Sequence, residues 1–159
     1  MGPKIFTDKQ SGFSLVELMI VVGIMGLLAM MAIPKMQQFQ AKAKQAEAKN
    51  MLAHIYTLQE SYHLDNNVYL PFALYGRNGT GTLVCTRPQG AIDIGFEISP
   101  CAGASPRYGY STVATAGTFT STAATGAGDN NLVCPGGAVH TFTTNQDHNT
   151  IGPIPAGAC

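Results

Sequence analysis

GFSLVEL, residues 12–18, opens an apolar run that continues to Ile33. Between Phe13 and Ile33, a span of 21 residues, the sequence holds a single charged residue, Glu17. A helix needs about 20 residues to cross the hydrocarbon core of a bilayer, so the run is long enough. A carboxylate in such a segment costs about 3 kcal/mol on insertion scales, and intramembrane charges are usually functional and paired. The run therefore predicts a membrane-spanning helix in which Glu17 has a functional role.

The run is preceded by a short polar stretch, residues 1–12, that carries Lys4 and Lys9. This pattern is typical of a cytoplasmic leader. A secretory signal peptide would be cut after its apolar region at small residues, and Ala29 and Ala32 could imitate such a site. However, the apolar run is long and a helical pattern continues beyond it, so a retained membrane helix is the better interpretation.

Pro34 follows the apolar run directly. A proline inside a helix removes one backbone hydrogen bond and clashes with the preceding turn, so we predict a kink near residues 30–34. Gly23 and Gly26 lie in the same run and have two interpretations. They are either glycines that allow close helix packing in lipid or part of a segment able to unwind.

A helical pattern resumes after Pro34. Apolar residues at steps of three and four form one face, made of Ala48, Met51, Leu52, Ile55, Leu58 and Tyr62. Asp65-Asn66-Asn67 then predicts the helix end. One nearly continuous helix would thus have two halves, residues 13–34, apolar all round, and residues 35–64, amphipathic.

Residues 65–106 connect this helix to the rest of the chain and carry mixed signals. The glycine-rich loop 76–81 is not a phosphate loop, because no Gly-Lys-Ser/Thr follows it and no helical pattern opens after it. Residues 83–85 and 92–98 are predicted as short strands, whose length is limited by nearby prolines.

From residue 107 the pattern turns to β-structure. Residues 107–113 and 118–123 alternate around a predicted turn at Ala116-Gly117. Residues 138–144 predict a third strand, and Thr150-Ile151 predicts a short last segment. A meander of this size needs a cover over its apolar face, and the amphipathic helix supplies it. The sequence therefore predicts an α+β fold, in which a long N-terminal helix packs against a small antiparallel sheet.

Composition limits the possible functions. The formal net charge is zero, which argues against a dedicated nucleic-acid-binding protein because such proteins normally carry a basic excess. Lys42, Lys44 and Lys49 are interpreted as a solvated helix face or a subunit contact, with DNA contact as the weaker alternative.

Four cysteines lie in the second half of the chain, namely Cys85, Cys101, Cys134 and Cys159. An even number of cysteines beyond a membrane segment predicts two disulfides in an oxidising compartment, which places this part of the chain outside the cytoplasm. A zinc site would need a closely spaced pair such as C-x₂-C, which the sequence lacks. Four cysteines allow three pairings, and their spacing leaves all three open.

Residue types that carry out catalysis are scattered. We find no nucleophile–base pair and no nucleotide-binding pattern, so an enzyme is not predicted. The four histidines are interpreted as surface or packing residues, at His54, His63, His140 and His148. The aspartates Asp93, Asp129 and Asp147 lack the spacing of a calcium loop, so we expect neither a metal site nor a cofactor.

Residues 12–22, GFSLVELMIVV, resemble the class III signal of type IV pilins. Such a signal has a short basic leader ending in glycine, then phenylalanine, a glutamate four residues later and a hydrophobic helix. Pro34 lies where these pilins have a helix-kinking proline. A weaker resemblance, to major pilins of predatory and gliding deltaproteobacteria, covers residues 47–69, 107–110 and 141–147.

The resemblance implies a processing site and a role for Glu17. A prepilin peptidase would cut between Gly12 and Phe13, release the leader 1–12 and methylate the new amino group of Phe13. Glu17 would then pair with the Phe13 ammonium of a neighbouring subunit and set the axial register of the filament. Contacts between subunits would be head-to-tail and non-closing, which is the condition for a helical fibre.

The resemblance also implies a disulfide pairing and a domain plan. Pilins commonly close their C-terminal region with a disulfide, which suggests Cys134–Cys159 and leaves Cys85–Cys101 to clip the connecting αβ-loop, residues 65–106. Each bond would contribute about 3 kcal/mol in the loop-entropy model. Residues 107–159 would then form the sheet and the disulfide-closed C-terminal region of a pilin fold.

The predicted function is a structural subunit of a type IV pilus, used in adhesion, twitching motility or contact with cells or prey. Its partners would be further copies of the chain, prepilin peptidase, the assembly machinery of the inner membrane and minor pilins. It would lie in the inner membrane before assembly and in the extracellular filament afterwards. The alternatives are a minor pilin and a pseudopilin of a type II secretion system. Two predicted disulfides and the missing calcium loop favour a pilin over a pseudopilin.

Overall fold

The computed structural model of the chain describes residues 12–103, 105–125 and 140–154. The fold is α+β, with one long helix followed by a six-stranded antiparallel sheet and a short second helix. The chain divides into two compact units, Met1–Met36 and Gln37–Cys159.

Helix α1 runs over Leu15–Asn66, 52 residues, and therefore belongs to both units. It ends at the predicted stop, where Asn67 adopts a left-handed φ of 57° that asparagine tolerates better than most residues. Pro34 lies inside α1, and the kink predicted there stays a prediction.

The first half of α1 has the length and composition of a membrane-spanning helix. Every large apolar side chain from Phe13 to Ile33 is between 45% and 86% exposed. A helix that is apolar all round is stable only when lipid or other protein covers it. The described residues do not cover these side chains, so the Met1–Met36 unit needs lipid or other protein around its helix.

The sheet has the strand order β2-β1-β3-β4-β5-β6, with every neighbouring pair antiparallel. Its strands are β1 Phe72–Arg77, β2 Leu83–Val84, β3 Gly109–Ala114, β4 Phe119–Ala124, β5 Thr141–Asn145 and β6 Ile151–Ile154. The predicted hairpin is confirmed, because β3 and β4 pair in continuous register from Gly109↔Ala124 to Ala114↔Phe119. The third strand and the short last segment are confirmed as β5 and β6.

Two expectations for the connecting region are corrected. Residues 72–77 form strand β1 beside β3, although the sequence analysis treated them as loop. Residues 92–98 are not a strand, because the short helix α2, Gln89–Asp93, occupies their beginning. The backbone N–H of Phe96 donates to the Ala91 carbonyl at 2.8 Å, so local turn hydrogen bonds replace a strand ladder there. The alternation that suggested a strand still buries Phe96 completely.

The core of the Gln37–Cys159 unit lies between α1 and the sheet. The predicted helix face is confirmed, since Ala48, Leu52 and Ile55 have no exposed surface. Aromatic rings fill the space opposite this face, chiefly Phe72, Tyr75, Phe96, Tyr108, Tyr110 and Phe142. Gln59 continues the buried face, and its side-chain amide holds both the N–H and the carbonyl of Leu70, at 3.0 and 2.6 Å.

Candidate assembly site

Glu17 lies in the first turn of α1, three residues after Ser14. The backbone N–H of Ser14 donates to Oε2 of Glu17 at 3.2 Å, and the Ser14 carbonyl accepts the first helical bond from Leu18, also at 3.2 Å. A serine followed three residues later by a glutamate that bonds back to it is half of a capping box. The carboxylate that the sequence analysis left unpartnered in a single subunit therefore has a backbone donor.

The residues of the predicted cut lie immediately before this turn. Gly12 and Phe13 are exposed and non-helical, and the Phe13 side chain is 86% exposed. A Cβ at Gly12 would meet no atom of a described residue within 4 Å, so the described part of the chain leaves this position open. The positive end of the helix dipole also favours an anion at this position. The structure thus brings Gly12, Phe13 and Glu17 together at one accessible helix end.

In the second unit, an ion pair joins α1 to the start of β3. Nη1 of Arg107 lies 2.7 Å from Oε2 of Glu47, and the Arg107 backbone N–H donates to Oε1 at 2.8 Å. The Glu47 and Arg107 side chains are 17% and 33% exposed, so water screens this contact only partly. The pair was not predicted, because nothing in the local pattern of either segment marks a partner 60 residues away.

Tyr108 and Tyr110 follow this pair into the core. Both are fully buried, and their hydroxyls have no hydrogen-bond partner within the described part of the chain. Burial raises the pKa of each phenol above its ordinary value, and the charge of Glu47 adds to the shift. Tyr69 differs, because its hydroxyl donates to Glu60 at 2.9 Å. Burial is the larger cause and this bond the smaller cause that raise the pKa of Tyr69 to about 12.

Arg77, at the end of β1, organises the connecting region from inside. Its side chain is 7% exposed and donates to the carbonyls of Pro106 at 3.0 Å, Gly81 at 2.6 Å and Gly103 at 2.8 Å. The sequence analysis saw only a turn-rich loop here. Arg77 therefore holds three loop segments together as a structural group.

A disulfide closes the same region. Cys85 and Cys101 are bonded, with Cα atoms 5.8 Å apart and a sequence separation of 16. This pairing is confirmed, and it excludes the two alternatives in which either cysteine has another partner. The pair Cys134–Cys159 lies outside the described residues, as does Asp129, one of the aspartates considered for calcium.

The histidines are dispersed. His54 is exposed, His63 stacks on Tyr69 with ring centroids 4.2 Å apart, and His148 packs at a tilt against Tyr56 with ring centroids 4.4 Å apart. His140 is buried, its ring lies 3.3 Å from the Gln45 amide, and burial lowers its pKa. Within the described ranges, no group of three or more His, Cys, Asp or Glu side chains could hold a metal ion.

Two protein-family models match the chain. The prokaryotic N-terminal methylation motif covers residues 7–33. The model of the type IV minor pilin ComP, DNA uptake sequence receptor, covers residues 34–137, which is more than half of the chain. The chain belongs to the type IV pilin family.

Three relatives indicate which pilins resemble the chain. The type IV major pilin protein PilA of Myxococcus xanthus is 41% identical over 98 residues, which are 62% of this chain and 41% of that protein. The prepilin peptidase-dependent protein D of Escherichia coli is 31% identical over 110 residues, 69% of this chain and 75% of that protein. The type II secretion system core protein G of Aeromonas hydrophila is 38% identical over 61 residues, 38% of this chain and 43% of that protein. The chain thus matches less than half the length of the first and third of these relatives.

Membership of the type IV pilin family accounts for several features together. The methylation motif of pilins implies processing by prepilin peptidase and assembly into a filament. The apolar first half of α1 is consistent with membrane anchoring and with a filament core. The helix-and-sheet arrangement of the second unit is the pilin-like fold that the sequence predicted.

Proposed function

We propose that the chain is a structural subunit of a type IV pilus and acts through assembly, not through enzymatic catalysis. The observation that carries this proposal is the exposed, apolar first half of α1, whose first turn holds one carboxylate, Glu17, beside an accessible cut site. In one subunit these features need lipid, and in a filament they need other subunits. The relatives of the chain are structural pilins and pseudopilins, which supports a non-enzymatic role.

Processing would create the partner of Glu17. Hydrolysis of the Gly12–Phe13 peptide bond removes the leader 1–12, leaves a carboxylate on Gly12 and frees an amine on Phe13, which is then methylated. The carboxylate of Glu17 exchanges the Ser14 N–H, at 3.2 Å in the single chain, for the Phe13 ammonium of a neighbouring subunit. An ammonium in a filament core binds a carboxylate more strongly than one neutral backbone N–H does, because the bond is charge-assisted and the surroundings have a low dielectric constant.

The parts of the chain then have separate roles. Residues 13–34 anchor the subunit in the inner membrane and later line the filament core. Residues 35–159 form the globular head of the subunit. In the head, residues 35–64 are a helix that packs through its buried face, residues 65–106 form the connecting αβ-loop, and residues 107–159 complete the head. The Cys85–Cys101 disulfide supports a location of the head outside the cytoplasm, where disulfides form and persist.

Two observations favour a pilus subunit over a type II secretion pseudopilin. The match to the Myxococcus xanthus major pilin covers 98 residues, more than α1 alone, whereas the match to the Aeromonas hydrophila pseudopilin covers 61. The longer match supports similarity in the head as well as in the helix. We therefore place the chain in an extracellular filament used for adhesion, twitching motility or contact with cells or prey.

A minor pilin that binds DNA is the second candidate, since the family model over residues 34–137 is named for a DNA uptake sequence receptor. Binding to phosphates needs free lysines or arginines. In the described part of the head, Arg77 is buried against carbonyls, Arg87 lies 3.6 Å from Glu97, and Arg107 pairs with Glu47. The three arginines of the head are therefore engaged in internal contacts, which favours the structural subunit, and the exposed lysines Lys42 and Lys49 are the groups through which DNA would bind.

Electron microscopy of fibres sheared from wild-type and deletion cells tests the proposal. We expect abundant wild-type fibres, none after deletion, and a mature chain that begins at methylated Phe13 in mass spectrometry. Fibres that persist in reduced number after deletion would indicate a minor pilin. If wild-type cells have no surface fibres that contain this chain, the structural-subunit proposal is wrong. Gel-shift assays with double-stranded DNA separate the DNA-binding alternative.

A further inference from the structure

The charged residues beyond the membrane segment are segregated by sign. Residues 35–49 hold four lysines and one glutamate, and every lysine of the chain lies at or before Lys49. Residues 50–159 hold three arginines and six carboxylates. The chain is neutral overall, so this segregation divides the part beyond the membrane segment into a basic helix segment, residues 35–49, and an acidic remainder, residues 50–159.

Internal contacts sharpen the segregation at the surface. The three arginines of the head are all engaged, Arg77 with carbonyls, Arg87 with Glu97 and Arg107 with Glu47. The pair with Arg107 also uses Glu47, the one carboxylate of the basic segment. Within the described part of the chain, the lysines therefore have no carboxylate partner and the remaining carboxylates have no lysine or arginine partner.

Lys42 and Lys49 are the exposed lysines of the basic segment within the Gln37–Cys159 unit. They are seven residues apart, which places them on one side of α1. Lys42 makes no ion pair or hydrogen bond with any described residue, and Nζ of Lys49 lies 5.8 Å from the Phe142 ring centroid. Phe39, one helical turn before Lys42, is 67% exposed. The exposed ring of Phe39 beside Lys42, which has no described carboxylate partner, indicates a surface that another protein covers, not one that faces only water.

Asp65 and Asp147 are the matching carboxylates. Both are exposed. Asp65 has no partner among the described residues, and Asp147 accepts only from the Asn145 and Gln146 amides, at 3.2 and 3.1 Å. Asp65 lies in the last turn of α1, and the turn that holds Asp147 packs beside Tyr56 through the His148 ring, at 4.4 Å. Both carboxylates therefore lie towards the C-terminal end of α1.

Distance prevents Lys42 from meeting these carboxylates within one chain. Tyr56 is 14 residues beyond Lys42 and Asp65 is 23 residues beyond it, which correspond to roughly 21 and 35 Å along the helix at about 1.5 Å per residue. Charges are largely screened beyond about 8 Å at physiological ionic strength. Lys42 can therefore pair with these carboxylates only between two molecules, and Lys49, roughly 24 Å before Asp65 along the helix, can pair with Asp65 only in the same way.

We propose that Lys42 and Lys49 of one subunit pair with Asp65 and Asp147 of a second copy of the chain. The proposal rests on the filament function proposed above. Head-to-tail contacts do not close, so each subunit presents its lysines to one neighbour and its carboxylates to another. Copies joined in this way are offset along the helix axis by roughly 21–24 Å, because Tyr56, beside the Asp147 turn, lies 14 residues beyond Lys42 and Asp65 lies 16 residues beyond Lys49.

Charge reversal in the full-length chain, expressed in deletion cells, tests the contact. We expect Lys42→Glu with Lys49→Glu to lower the yield of sheared fibres roughly fivefold or more, because like charges then face each other across the contact. Adding Asp65→Lys and Asp147→Lys should restore most of the yield.

Two matched controls change charge elsewhere. Lys44 lies about 200° around α1 from Lys42, at about 100° per residue, so Lys44→Glu should leave fibre yield near the wild-type value. Asp93 is exposed, and its carboxylate accepts only from the Gln89 amide, at 2.7 Å. Asp93→Lys should not rescue the double lysine variant.

Crosslinking keeps the test valid where a reversal variant fails to accumulate. Fibres that carry Lys49→Cys and Asp65→Cys should give covalent dimers with a short bismaleimide, and fibres with Lys44→Cys and Asp65→Cys should not. Wild-type fibre yield without these dimers, or unchanged fibres after lysine reversal, would overturn the contact and leave the filament function standing. Loss of fibres that the aspartate reversals do not rescue would also overturn it and point to anionic lipid as the partner of the lysines. Absence of fibres in the wild type would instead overturn the filament function.

Discussion

In the first half of α1, Leu28 is 63% exposed, whereas Leu52 in the second half has no exposed surface. Both are leucines of one helix, yet they belong to different compact units. The second half packs against the sheet, whereas the apolar side chains of the first half remain exposed among the described residues. The Gln37–Cys159 unit is therefore stabilised by its own buried core, whereas the Met1–Met36 unit depends on a membrane or on other subunits.

The largest expected effect breaks the dependent unit. Glu17→Ala leaves the Phe13 ammonium of a neighbouring subunit without its carboxylate, which costs about 3–5 kcal/mol, more than a hundredfold in the assembly equilibrium. We expect fibres to disappear in electron microscopy, while cleavage before Phe13 persists in mass spectrometry. Glu60→Ala, the same change in the head, is the control and should leave fibres intact. Normal fibres with Glu17→Ala would contradict the pairing.

Truncating the two leucines should affect the stability of the head differently. Leu52→Ala removes a fully buried side chain and should destabilise the head by about 2–5 kcal/mol. Leu28→Ala should leave the unfolding of the head unchanged, because its side chain contributes nothing to that core. Thermal or denaturant unfolding of the full chain in detergent, followed by circular dichroism, measures both. Equal effects would show that the two halves of α1 unfold as one unit.

A smaller effect is expected at the ion pair between α1 and β3. Arg107→Ala removes the side-chain bond to Glu47 and should cost about 1–3 kcal/mol, since hydrogen bonds to charged groups contribute that much. A double-mutant cycle with Glu47→Gln isolates the pair from the backbone bond at 2.8 Å, which an amide oxygen can still accept. A coupling energy of zero would mean that the pair does not hold the head to α1.

The pH dependence of the head should be weaker still. Burial lowers the pKa of His140, so the unfolded chain binds more protons than the folded one in the range below about 6.5, the ordinary histidine value. Stability should therefore fall as pH decreases from about 6.5 towards the lowered pKa of the folded state. His140→Gln should reduce this dependence, and His54→Gln, at an exposed position, should not. A slope that persists in the His140 variant would contradict the assignment.

The smallest effect is expected for the unpartnered tyrosines. Tyr108→Phe removes a buried hydroxyl that has no partner among the described residues, so stability should stay the same or rise. Tyr69→Phe loses the bond to Glu60 and should cost about 1 kcal/mol. A clear loss of stability in Tyr108→Phe would reveal a bound water or a partner for that hydroxyl.

Much of the fold could be predicted because its signals are local. The apolar run, the helix face from Ala48 to Tyr62 and the hairpin each repeat with a period that a few neighbouring residues reveal. Strand β1 was missed because it follows the helix closely and a bulge between Phe72 and Tyr75 interrupts its alternation. The helix α2 was missed because alternate burial also arises in a loop that winds over a core.

The sequence alone determined that a long two-part helix carries a β-rich head, and which residues stand at its processing end. It could do so because helix length, polarity and the signal at Gly12 are encoded in consecutive residues. Only the tertiary structure decided which distant groups meet. Glu47 bonds Arg107 across 60 residues, and Arg77 bonds carbonyls 26 and 29 residues away. Such contacts depend on strand order and register, which place residues together without regard to their distance in sequence.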